Sequence, residues 1–224
     1  MKPKGRFQSQ FLGVLFLMGI VAVPQISFSQ INSLIEPVME LPTPKKEGGM
    51  PLMDALRLRS TQRKFIDRPI PDEILSGLLW AAYGVNRPET GKRTAPSARN
   101  NQEIDLYVFT TKGIFLYDAV KNTLKLVSEG DFRKEISTQP HFADAPVSVV
   151  LVAEYERMKN YDQQAAEFYA AMDAGYISQN IYLYCTSMRM NTVACGGIKR
   201  DVLQKLLQIE KGKVLLAHPV GFGE

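Results

Sequence analysis

Histidine and cysteine are scarce in this chain: 224 residues include only His141 and His218, Cys185 and Cys195. The histidines are far apart and stand in no His-x-x-x-His or Cys-x-x-Cys spacing, so nothing is set out to ligate a metal. Two cysteines are no disulfide framework, and the one flanked by glycines, Cys195, is more readily a small structural residue than a nucleophile. No GxSxG turn is present for a serine hydrolase. Neither GxGxxG nor GxxxxGK[ST] occurs, which removes the common dinucleotide and nucleoside-triphosphate loops. There is no internal repeat or low-complexity run. What remains for catalysis, by elimination, is chemistry supplied by a cofactor.

The formal charge is +4, but Lys2, Lys4 and Arg6 sit at the extreme N-terminus, and no nucleic-acid motif accompanies the charge, so no nucleic-acid partner is expected. Those three residues open a three-part leader. Phe11–Val23 is apolar, broken by Gly13 and Gly19, and short for a membrane span, and Ser27-Phe28-Ser29 puts small residues where a signal peptidase inspects them. Residues 1–29 are read as a signal peptide cleaved before Gln30, giving a periplasmic protein with no stable span; an uncleaved anchor is the alternative. No cysteine lies nearby to take a lipid. Residues 30–50, rich in Pro, Gly and charge, read as a linker, and 51–224 as one domain.

An apolar fraction of 45% is enough for a sizeable core. Leu52, Ala55, Leu56 and Arg59 recur at helical spacing, and "PDEILSGLLWAAYG" opens on Pro71 and stops at Gly84. Glu103–Thr111 and Gly113–Val127 alternate as strands, with a turn at Lys121-Asn122. Ala145–Glu154 is a continuous apolar run, the pattern of an interior strand buried on both faces. Asp162–Met190 is a long helix with Ala166, Ala170, Ala174, Ile177, Ile181 and Tyr184 on one stripe. "IKRDVLQKLLQI" gives a further helix and "KVLLAHPVGF" a last strand. The class is α+β, a mixed, largely antiparallel sheet flanked by helices.

Three segments carry the chemistry. "RSTQRKF" (59–65) packs two guanidinium forks and two hydroxyls behind a helix, a set suited to phosphate or to ring oxygens; a solvated helix end is the plainer alternative. "PSARN" (96–100) precedes a strand and could be an ordinary turn. "ACGGI" (194–198) puts two glycines where a planar ligand could approach main chain, or where a helix is capped.

In residue type, order and separation these segments resemble the FMN-dependent nitroreductase family, across about Pro51 to Phe222. Arg59, Arg63 and Phe65 match its opening element, while Ser60 stands in its second basic position and Thr61 in its serine position. The resemblance implies a homodimer binding FMN, with Arg59, Ser60 and Thr61 toward the phosphate and ribityl chain and Arg63 toward the N1/C2 edge. Pro96, Ser97 and Asn100 would touch the flavin of the other subunit. Cys195, Gly196 and Gly197 would face N5 and O4, and His141 the pyrimidine edge, unless it is a surface-loop histidine. Gln102-Glu103-Ile104 replaces the family's Gln-Pro-Trp, and its basic C-terminal tail is missing; Arg93, Lys199 or Arg200 are candidates to replace that charge. Arg68, beside Pro69, is expected to be a solvated bystander.

The function implied is transfer of hydride and electrons through flavin N5 to a nitroaromatic, quinone or similar small acceptor, with NAD(P)H as donor; an exported protein would need another reductant. No side chain is nominated as catalytic acid, base or metal ligand. Alternatives are a flavin-dependent dehydrogenase of a peptide or small molecule, suggested by "GKRTAPSA", which is closer to the branch of the peptide azoline dehydrogenases, and a non-catalytic flavin-binding protein.

Overall fold

The structure is a computed structural model that describes residues 37–224. The leader and its cleavage site lie outside the described residues. Nine strands appear among the described residues: β1 (Val38–Glu40), β2 (Val85–Arg87), β3 (Lys92–Arg93), β4 (Ile104–Thr110), β5 (Gly113–Asp118), β6 (Thr123–Glu129), β7 (Val147–Glu154), β8 (Met190–Thr192) and β9 (Gly212–Phe222). Seven form one sheet in the order β1-β6-β5-β4-β7-β9-β8, and β2 and β3 form a separate ribbon. The largely antiparallel sheet expected from the sequence is antiparallel at every pairing among the described residues. Helices α1 (Leu52–Leu58), α2 (Asp72–Tyr83), α3 (His141–Asp144), α4 (Gln163–Ser187) and α5 (Arg200–Leu206) complete the architecture.

The apolar run at β7 does what its pattern requires. Its alternate residues Val147, Val149, Leu151 and Ala153 pack with α2 and α4, through Leu78, Leu79, Ala170, Ala174, Ile177 and Ile181. Val150 and Val152 face the other way, against Phe109, Ile136, Phe142 and Leu203. With period-2 side chains, a strand covered on both faces must be apolar throughout. Each fully buried aliphatic side chain here contributes roughly 1.5–3 kcal/mol. Ala170 and Ala174 are fully buried. A larger residue at either would force α4 off the sheet. Asp162 starts α4 by accepting the Ala165 N–H at 2.8 Å, which satisfies one of the donors that a helix start leaves open. Asn122 takes positive φ in the β5–β6 turn, as expected.

Gly84 ends α2 in an extended conformation, and its lack of a side chain matters because a Cβ there would strike Trp80. At Gly77 a Cβ would strike the Tyr184 phenol, which donates to the Ile74 carbonyl at 3.2 Å and ties α4 to α2.

One expectation fails. The folded body starts before Pro51: β1 pairs with β6, Leu41 is buried, and Asn122 Nδ2 donates to the Pro42 carbonyl at 3.0 Å. A three-residue edge strand among prolines has no period to read. The helix expected from Leu52, Ala55 and Leu56 is present as α1, but it buries only Ala55, while Leu52, Met53, Leu56 and Leu58 are 45–75% exposed, so its apolar spacing marks a face that this chain does not cover. No described helix is long and apolar enough to cross a membrane.

Candidate functional site

After α1 the chain runs along the β8–β9 edge of the sheet. Gln62 N–H donates to the Thr192 carbonyl (3.0 Å), Ile66 N–H to that of Phe222 (3.0 Å), and Asn191 Nδ2 to that of Lys64 (2.7 Å). "RSTQRKF" is therefore a strapped loop and not a free helix end. Thr61 Oγ1 shares a hydrogen bond with Tyr182 Oη at 3.1 Å, and the Arg59 guanidinium lies 5.1 Å from the centre of the Tyr182 ring. Ser60 accepts from Gln62 Nε2 at 3.0 Å.

The same tyrosine reaches the second segment, since Ala194 N–H donates to Tyr182 Oη at 2.8 Å. Cys195 then exchanges two main-chain bonds with Ala217 of β9, at 2.8 and 3.0 Å. This fixes Gly196 and Gly197 beside the sheet and not at a helix end, because α4 finished at Ser187 and Arg189 takes the positive φ that follows it. Both glycines are exposed, and neither main-chain N–H has an acceptor among the described residues. Gln139 Nε2 donates to Cys195 Sγ at 3.3 Å, and Ser137 Oγ to the Gly197 carbonyl at 2.7 Å.

His141 opens α3 and is buried, not on a surface loop, yet its Nε2 has no partner among the described residues. Burial lowers its basicity, and the nearby Arg63 charge lowers it further, against the pull of Asp144. Arg63 has no hydrogen-bond or ion-pair partner of its own among the described residues.

His218 supports this group from behind, wholly buried, with Nε2 2.8 Å from Ser178 Oγ, Nδ1 3.1 Å from Thr192 Oγ1, and the Tyr182 ring edge-on at 5.3 Å. Burial pushes its pKa down to about 3, so the ring is neutral. The two hydroxyls serve either tautomer.

Arg59, Thr61, Arg63, His141, Cys195, Gly196 and Gly197 thus share one region, with Ser60 on the same loop. Pro96, Ser97 and Asn100 do not join them. Ala98 N–H is held by Asp173 Oδ2 at 2.8 Å. Asp173 precedes Tyr182 by two and a half turns of α4, which separates the two residues by roughly 13 Å along the helix axis. Ser97 Oγ accepts the Gln102 N–H (3.0 Å), and Asn100 Oδ1 accepts from Gln102 Nε2 (3.2 Å). Arg99, Asn100 and Gln102 all carry positive φ, a strained run for residues with side chains.

The basic residues expected to add positive charge at the phosphate are engaged elsewhere: Arg200 with the Val214 and Leu215 carbonyls, Lys199 with the Lys134 carbonyl and Glu135, and Arg93 against the Tyr83 ring near "PSARN". Arg68 is no bystander, since its guanidinium lies 4.1 Å from the centre of the Phe222 ring. A hollow of about 710 Å³ beside Phe65, Ile70, Phe115 and Arg133 includes none of the sequence-predicted site residues.

An antiparallel sheet with helices on both faces thus carries, near its β8–β9 edge, a group of cationic, imidazole and main-chain donors, groups of the kind that suit an oxygen-rich anion. The "Nitroreductase family" description matches residues 56–222, and the chain belongs to that family, which supports an oxidoreductase. A nitroreductase homologue of Methanocaldococcus jannaschii is 29% identical over 193 residues, covering 82% of this chain and 96% of its own. A nitroreductase homologue of Ralstonia eutropha, known as a crystal structure, is 35% identical with a TM-score of 0.79 over 92% of this chain and 96% of its own. The NADPH:FMN oxidoreductase of Vibrio harveyi, solved with NAD⁺, shares the fold at 20% identity and TM-score 0.59, over 77% of this chain and 69% of its own.

Proposed function

We propose that this protein is an exported, homodimeric, FMN-dependent oxidoreductase of nitroreductase type, passing electrons from a nicotinamide or other donor to a nitroaromatic, quinone or similar small acceptor. The observation that carries the reading is the orphaned Nε2 of buried His141 beside the unpartnered Arg63 guanidinium. A buried polar atom without a partner is costly, and a ligand that completes it relieves that cost. The free N–H groups of Gly196 and Gly197 add two donors in the same region, so the residues present fit the pyrimidine edge of a flavin.

When bound, FMN supplies the two-electron chemistry, hydride in and electrons out. The chain's part is to bind and orient. Arg59 and Thr61, fixed on Tyr182, would take the phosphate end; Arg63 would hold a fixed positive charge where negative charge develops; neutral His141 would offer an N–H without adding charge. The dimer is supported by exposed Leu52, Met53 and Leu56 of α1 and Phe168, Met172 and Tyr176 of α4, a large apolar surface for a lone chain. In such a dimer the Pro96–Asn100 loop would serve the neighbour's flavin. Export is carried by the leader, and an intact mass beginning at Gln30 would support it.

Absorbance of the purified protein, with mass identification of the released ligand, tests the cofactor. Arg63→Ala tests the site: losing one charge-assisted hydrogen bond costs about 1.5–3 kcal/mol, or roughly 10- to 100-fold in FMN affinity, while Lys121→Ala in the exposed β5–β6 turn stays at wild type. Equal affinities in fluorescence titration would remove this site. A yellow protein inert to every donor would instead favour a flavin-binding protein without turnover.

A further inference from the structure

Two acids lie beneath the Pro96–Asn100 loop, and the reaction as proposed uses neither. Glu103 is wholly buried, and neither carboxyl oxygen has a hydrogen-bond donor among the described residues. Asp173 of α4 is 3% exposed, and its Oδ2 holds the Ala98 N–H at 2.8 Å. The Asp173 carboxyl lies close enough to act on Glu103 both as a like charge and as a hydrogen-bond partner. Carboxylates are acceptors only, so these two can bond to each other only through a proton.

The charged neighbours do not rescue an ionised Glu103. Arg93, from β3, gives its Nε to Gln102 Oε1 at 2.9 Å and lies 4.3 Å from the centre of the Tyr83 ring. Arg157, from the turn after β7, makes a two-point pair with Asp105 at 2.8 and 2.6 Å and reaches the Gln102 carbonyl at 2.9 Å. Tyr83, from α2, is buried with its hydroxyl unpartnered among the described residues. Glu103's own main-chain amide is near its carboxyl without making a hydrogen bond to it, and the charge of Arg157, already committed to Asp105, is the remaining influence toward the ionised form. A second negative charge beside Asp173 would stand unpaired in a dry site. Burial first, and then Asp173, push the Glu103 carboxyl up to about 7.

We propose that Glu103 and Asp173 form a positioning pair that shares one proton, and that this proton holds the Pro96–Asn100 loop in the shape it presents to a neighbouring subunit. The loop's service to a flavin rests on the function proposed above; the shared proton does not. With the proton in place, the Glu103 hydroxyl donates to Asp173, which keeps Oδ2 for Ala98 and anchors a run whose positive φ angles would otherwise relax. When solvent takes the proton, two like charges repel, Asp173 turns away or water enters, and the anchor is lost.

Amide hydrogen exchange of Ala98 in the flavin-free full chain, corrected for intrinsic rates, reads the anchor directly. Between about pH 6 and about pH 9, wild-type protection is expected to fall on the order of tenfold. Glu103→Gln should be flat, because its amide donates to Asp173 at every pH; Asp173→Asn, whose amide can donate to Glu103 while its oxygen keeps Ala98, provides a second variant should the first fold poorly. FMN affinity should follow the same profile in wild type and be level in both variants. Flat wild-type protection, or the same pH profile in wild type and both variants, overturns the proton pair. A protein that binds no FMN defeats the proposed function while the exchange experiment still decides the pair. Exchange that behaves as expected beside an FMN affinity indifferent to pH overturns the loop's role.

Discussion

Two stretches of α4 each face a buried titratable group, and they treat it in opposite ways. Near Ser178 and Tyr182, His218 has a hydroxyl on each ring nitrogen and is neutral. Near Asp173, Glu103 has no donor on either oxygen. A satisfied buried group fixes structure and is costly to remove; an unsatisfied one is a group whose charge state the surroundings have left to pH. One region is framework for the loop 59–65, and the other is an adjustable support for the loop 96–100.

The contrast is sharpest in stability, where removing each group should act with opposite sign. His218→Ala leaves a cavity and two stranded hydroxyls, an expected loss of about 3–5 kcal/mol in urea unfolding at neutral pH. Glu103→Gln should instead stabilise at about pH 8 by about 1–3 kcal/mol. The signs follow from linkage. The Glu103 carboxyl is raised from 4.5 to about 7, so its favourable protonation is fully present below about 4.5 and lost as pH rises through 7. The His218 pKa is depressed from 6.5 to about 3, so its contribution is present above 6.5 and lost as pH falls toward 3. The gain from Glu103→Gln should therefore vanish near pH 4.5. A gain that persists there would mean that packing, not charge, separates the two regions.

Tyr182→Phe probes the framework side more gently. The lost hydroxyl joins Thr61 to the Ala194 N–H, both exposed enough for water to take its place. We expect a stability loss of about 1 kcal/mol and FMN affinity weakened roughly five- to tenfold, with Arg59 still stacked on the ring. Unchanged affinity would show that Tyr182 braces the fold without shaping the site.

How much of this could be read from the chain follows the range of each interaction. The two-sided burial of β7, the stop at Gly84 and the turn at Asn122 are local patterns, and they were legible. "RSTQRKF" and "ACGGI" could be placed at one site only through the ordered resemblance, because nothing local says that both border β8 and β9. Tyr182 sits one position beyond Ile181 of the buried stripe on α4, and its bond to Thr61 crosses 121 positions, so no spacing announces it. Helical periodicity showed that α1 has an apolar face, and periodicity does not say what covers it. In the sequence Glu103 stands out only as a departure from a motif, and its complete burial comes from the fold.

The smallest expected effect lies on the exposed face of α4 between the two regions. Gly175 has helical neighbours, no positive φ, and nothing within 4 Å of where a Cβ would stand. A glycine inside a helix costs about 0.5–1 kcal/mol relative to alanine, chiefly through backbone entropy. On this chain alone, Gly175→Ala should therefore stabilise by about that amount in urea unfolding, with the mass in solution unchanged. Yet Met172 and Tyr176, beside it, are 41% and 43% exposed, and Phe168 two turns back is 62% exposed. A dimer that brings two α4 backbones together at Gly175 would reverse the sign, because the added methyl groups would then meet each other across the seam. Light scattering on Gly175→Ala distinguishes the two: a stabilised dimer places the contact on the large side chains, whereas a destabilised monomer contradicts the expected gain and places the seam at Gly175 itself.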